Sequence, residues 1–110
     1  MTEKAQTVTE NLLAQHSDIH GIFCANDEMA IGAIKAVKNF MKGGIIKVVG
    51  YDNIKEVKPY LQSRDLYATI EQHPDLMGAE SIRLAVAILD GKAKKGNELL
   101  VSLEMIKKQP

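Results

Sequence analysis

Three short apolar runs punctuate the chain, and a polar residue follows each before the next helix-like stretch. They are "IHGIFCA" at 19–25, "IIKVVGY" at 45–51 and "LYATIE" at 66–71. The first, short and almost continuously apolar, reads as a strand buried on both faces; the β-branched second run and the third read as strands as well. Between them lie segments with helical spacing. Ile31, Ile34, Val37 and Met41 recur at helical intervals from Asp27 to Met41, and Gly43 and Gly44 stop that helix. Ala5, Val8, Leu12 and Leu13 form one apolar side of a helix over 4–16.

Further along, Pro59 delays a helix until about Lys58, because proline in a helix interior costs about 3 kcal/mol but is tolerated in the first turn. Pro74 and Gly91 bracket a helix over 74–91, "KAKKGNE" is a charged loop, and "LLVSLEMI" at 99–106 is a last strand. The order α-β-α-β-α-β-α-β, with short linkers, specifies an α/β fold with a mainly parallel sheet flanked by helices.

Composition narrows the function. The 110 residues are 45% hydrophobic and 25% charged, with formal net charge zero and a pI near 6.8. Binding nucleic acid through bulk charge is disfavoured. No apolar run reaches the length of a membrane span, and "MTEKAQTVTE" is not the apolar core of a signal peptide. Cys24 lies in an apolar run and reads as a core thiol.

The chemical signal lies just past each strand. Asn26 comes after the first, Asp52 after the second and Gln72 after the third. In a parallel sheet those three ends share one edge, where open α/β sheets bind ligands. Amides and a carboxylate suit a neutral polyhydroxyl ligand, since they accept from and donate to hydroxyls. Phosphate asks instead for a glycine-rich loop or basic side chains, and neither comes after these strands. Against this stands capping: Asn26 or Asp27 can cap the next helix, and Asp52 or Asn53 can begin a turn. Gln72 is no favoured cap.

Three stretches, "GIFCANDEMAIGAIKAVK", "VVGYDNIKEVKPYL" and "LYATIEQHPDLMGAES", resemble the C-terminal third of type I periplasmic sugar-binding proteins, ribose-binding branch. The resemblance implies an incomplete C-terminal lobe of that fold. Residues 1–72 would be a partial sugar-binding lobe and 73–98 a hinge crossing with a helix that packs on an absent N-terminal lobe. Residues 99–110 would be a terminal strand and tail. Asn26, Asp52 and Gln72 would be the sugar contacts, with Asp27 the cap of the following helix and Glu28 a solvated first-turn residue.

The implied partners are a ribose-like monosaccharide and, for the full-length parent, an ABC transporter permease and in some members a chemotaxis receptor. The parent would be periplasmic, no cofactor, metal or nucleic acid is implied, and the chain would not be an enzyme. The family's second lobe, with its ring-sandwiching aromatics and arginines, has no counterpart in the sequence. A chain lacking it should bind sugar weakly and associate with itself.

Two other readings compete. One is the ligand-sensing core of a LacI-type repressor, though "ATIEQHPDLMG" fits the transport proteins better. The other is a Mg²⁺-dependent receiver-like domain using Asp27, Glu28 and Asp52, which lacks the early-strand aspartate and a basic partner. His16 and His20, four apart, read as solvated loop histidines.

Overall fold

In the computed structural model, which describes residues 1–108, the elements occur in the expected order. They are α1 (Thr2–Gln15), β1 (Gly21–Phe23), α2 (Asp27–Asn39), β2 (Lys47–Val49), α3 (Lys58–Ser63), β3 (Thr69–Glu71), α4 (Pro74–Leu89) and β4 (Glu104–Ile106). A 3₁₀ turn, Lys55–Val57, leads into α3, and Pro59 falls in the first turn of that helix as its missing N–H requires. The strands are shorter than the apolar runs: residues 99–103 stay outside β4, and residues 109–110 of the expected tail lie outside the described residues.

The chain forms two compact units. The first comprises residues 1–71 with the returning segment from Met105. Its β1 and β2 pair in parallel, Ile22 opposite Val48. The bonds Tyr67 N–H to the Val48 carbonyl (2.8 Å), Gly50 N–H to that of Ala68 (3.0 Å) and Asp52 N–H to that of Ile70 (2.9 Å) carry the parallel ladder on to β3. On β3's other side, β4 completes the order β1-β2-β3-β4. The core gathers Ala30, Ala33, Ile34 and Val37 of α2 against Val48, Val57, Leu61 and Leu66. Between α1 and α2 the approach is close. A Cβ on Gly32 would meet the Thr2 carbonyl oxygen at 2.3 Å, so only glycine fits there.

The reading of 19–25 as a strand buried on both faces is corrected: Phe23 is 69% exposed and Ile22 only half-buried. The reason is topological. Among the described residues β1 has a neighbour on one side only, β2, and beside it α1 leaves an open hollow. The α1 stripe is likewise split: Leu13 is buried in the core, while Val8 and Leu12 stay exposed. With Ile22 and Phe23 they line an open apolar hollow of about 330 Å³.

The second unit, Gln72–Glu104, is built on α4, none of whose residues is buried. Its Leu76, Ile82, Val86 and Leu89 are exposed. His73 opens the helix in a left-handed conformation (φ 55°), and its Nε2 lies 3.3 Å from a Glu104 carboxylate oxygen.

A half-paired strand beside an apolar hollow is a template for another chain. We therefore expect a homodimer that buries 19–25 and the apolar face of α4. Light scattering at tens of micromolar checks this; a monomer with exchange-protected amides along 19–25 would contradict it. A second expectation concerns Cys24, whose thiol is pushed up to about 11 by burial, with the nearby Asp27 charge adding to the effect. Reaction with a disulfide reagent at neutral pH should be slow in the folded chain and fast in urea.

Candidate functional site

Each parallel strand hands its chain to the sheet's carboxyl edge, and there the polar residues gather. Asn26, in extended conformation (φ −152°), is the cap of α2: the Met29 N–H donates to its Oδ1 at 2.9 Å. Its Nδ2 faces Met1 Sδ at 3.3 Å. Asp27, expected as the cap, does something else. It is fully buried, and its carboxylate takes the Thr69 hydroxyl on Oδ1 (2.7 Å) and the Ile54 N–H on Oδ2 (2.9 Å). The swap has a physical reason. The cap residue must be extended with its side chain over the first turn, which the chain provides at 26; residue 27 already points inward toward β3.

One carboxylate thus joins the start of α2, the loop after β2 and the first residue of β3. The Asp27 N–H donates to the Tyr51 carbonyl (2.9 Å), adding a main-chain stitch between the ends of β1 and β2. Burial raises the Asp27 pKa and the Asp52 charge raises it further, while the Thr69 and Ile54 bonds pull it back down. Beneath the carboxylate lies Gly50, where a Cβ would sit 2.1 Å from Asp27 Oδ1. The space that accepts Asp27 exists because residue 50 has no side chain.

The loop after β2 is held in uncommon conformations. Asp52 has φ 109° and Asn53 φ 54°, both on the positive side that favours glycine. Asn53 is fixed by two bonds: its N–H donates to Thr69 Oγ1 (3.2 Å) and its Nδ2 to Glu71 Oε2 (2.8 Å). Strain of this kind persists only where surrounding bonds enforce it, and it concentrates at functional positions. The Asp52 side chain is exposed. Asn26 and Asp52 thus stand past the ends of adjacent parallel strands, at the same edge. Gln72 comes directly after β3 in the chain and is the first residue of the second unit.

Sequence reasoning missed Thr69, Asn53 and Glu71 as supports of this edge. Gly50 was the available signal, because a glycine closing a β-branched strand often marks a close approach. No group of three or more metal-ligating side chains occurs among the described residues.

The clasp makes a graded prediction for thermal or urea unfolding. Asp27→Ala leaves the Ile54 N–H unpaired in the interior and should cost about 2–3 kcal/mol. Asp27→Asn can still accept from Ile54 and donate to Thr69, and should cost about 1 kcal/mol or less. The folded-state pKa is raised, so the folded chain holds its proton to higher pH than the unfolded chain. Stability from Asp27 should fall as pH rises from the ordinary carboxylate value through the raised one, and Asp27→Asn should remove that slope. Equal costs for Ala and Asn would show that the carboxylate clasps nothing.

The family model described as periplasmic binding protein domain matches residues 1–93. Among curated relatives, the ribose import binding protein of Bacillus subtilis is 43% identical over 81% of this chain and 28% of its own length. That of Haemophilus influenzae is 40% identical over 94% of this chain and 34% of its own. A solute-binding protein from Actinobacillus succinogenes, solved with bound D-allose, superposes with a TM-score of 0.86 at 36% identity. It covers 97% of this chain, which covers 37% of it. The chain therefore spans about a third of the relatives it matches, and with a stitched carboxyl edge on a parallel sheet it belongs to the periplasmic binding protein domain family.

Proposed function

We propose that this chain supplies one wall of a sugar cleft in a ribose-type solute receptor of an extracytoplasmic ABC importer, and that it is a binding protein, not an enzyme. The observation that carries this reading is the edge itself. Asn26 and Asp52 stand side by side past β1 and β2, on a backbone that Asp27 and Asn53 hold still. Asp52 offers a carboxylate that accepts from two adjacent hydroxyls, and the Asn26 amide can donate from Nδ2 while its Oδ1 caps the helix. Ribose and allose, named for the relatives, present such hydroxyls. Gln72 is the third proposed contact, reached from the segment after β3, and residues 73–98 are the proposed crossing toward a second lobe. Presentation of the loaded receptor to the permease, and in some parents to a chemotaxis receptor, belongs to the complete receptor.

One wall does not make a tight site. Good small-ligand sites bury about 70–90% of the ligand, and a sugar lying on one edge keeps its other face in water. Calorimetry with ribose should give a Kd of about 1 mM or weaker, or no heat at all. Micromolar binding by the chain alone would contradict this. The site assignment has its own readout. With saturating ribose, amide shifts in a heteronuclear spectrum should cluster at Asn26, Asp52 and Gln72 and vanish in Asp52→Ala. Shifts centred elsewhere would refute it.

A further inference from the structure

The opposite, amino-terminal edge of the sheet carries a second cluster that the sugar reading leaves unused. A hollow of about 410 Å³ is lined there by Gly44, Ile46, Lys47, Arg64, Leu66, Tyr67, Lys107 and Lys108. Four of those eight residues are cationic and none is acidic, in a chain with 14 basic and 14 acidic residues. The one carboxylate next door in sequence, Asp65, is already engaged, by Lys38 Nζ at 2.8 Å and the Ser63 hydroxyl at 2.7 Å. None of the four cations has an ion-pair partner among the described residues.

Two features make this more than a scatter of surface lysines. The ammonium groups of Lys47 and Lys107 both settle over the Tyr67 ring, 4.7 and 5.2 Å from its centroid. A single aromatic ring thus gathers two like charges from distant parts of the chain, an arrangement that gains when an anion joins them. The second feature is Arg64. It caps α3 in a left-handed conformation, φ 68°, where glycine would sit without strain. The chain accepts that backbone cost and places at this corner the one side chain that grips an oxyanion with a planar fork.

We propose that this hollow binds a small soluble phosphate-bearing anion, at a site separate from the sugar edge. Arg64 supplies the fork and Lys47 and Lys107 the point charges. Lys108 closes the rim, and Tyr67 holds the two ammonium groups in place.

The test uses the full chain and inorganic pyrophosphate at low ionic strength, read by amide shifts and calorimetry. We expect saturable binding at about 1 mM or tighter, with shifts at Lys47, Leu66, Tyr67 and Lys107. Added chloride should weaken it, as for an exposed electrostatic site. The double variant Lys47→Gln/Lys107→Gln should lose about tenfold or more in affinity, since both point charges on the anion go. Arg64→Gly should lose affinity while holding or raising the melting temperature, because it relieves the left-handed cap. That separates loss of the ligand from loss of the fold. Absence of saturation, unchanged affinity in both variants, or binding to anionic phosphatidylglycerol vesicles without binding of pyrophosphate would overturn the proposal.

Discussion

A carboxylate with no solvent contact holds the working edge of this chain together. Asp27 receives one bond from a hydroxyl on β3 and one from a main-chain N–H in the loop after β2, while its own backbone begins α2. Three segments far apart in sequence meet on two oxygen atoms. A buried charge is tolerated only when its lone pairs are satisfied, and here no buried side-chain polar atom among the described residues lacks a partner. Burial still costs something, which shows in the raised pKa. The return is a fixed edge, because these bonds help to anchor a loop that carries two residues at positive φ.

That rigidity matters for the chemistry proposed at the edge. A side chain that must meet a sugar hydroxyl contributes most when its backbone is already in place, because no ordering entropy remains to be offset. Asp52 stands on such a backbone, with Asn53 beside it bonded to both Thr69 and Glu71. The same sheet presents opposite electrostatics at its two ends. Carboxylates and amides lie past the carboxyl ends of β1, β2 and β3, and a cluster of cations lies where β2 and β3 begin and β4 ends. A net charge of zero hides this division.

Much of the architecture is legible from residue spacing. Pro59 fixes where α3 begins, and Pro74 marks the start of α4, because proline constrains the backbone by covalent geometry that tertiary context does not override. Strand lengths are less legible. Apolar runs such as 99–106 report burial or an apolar surface, whereas a strand needs a partner, and among the described residues partners exist only for Glu104–Ile106. The apolar neighbours of Phe23 suggest burial, yet exposure there depends on whether β1 has a strand on its second side. In the edge itself, the positions of Asn26 and Asp52 come from strand order alone. The division of labour between Asn26 and Asp27 does not, since both are good caps and only the direction of each side chain decides. Thr69 and Asn53 are invisible for a similar reason: their role is a long-range bond across 42 and 18 residues, and no local pattern encodes it.

Above all, the Asp27 carboxylate clamps the loop after β2 to the rest of the edge. Native-state hydrogen exchange at the Ile54 amide, which donates to Asp27 Oδ2, reads that clamp directly. In the unaltered chain this amide should exchange as slowly as the core amides of α2. In Thr69→Val, which strips one bond from the carboxylate but keeps the side-chain shape, it should exchange much faster while α2 stays protected. An Ile54 amide that exchanges at the rate of an open loop in the unaltered chain would contradict it.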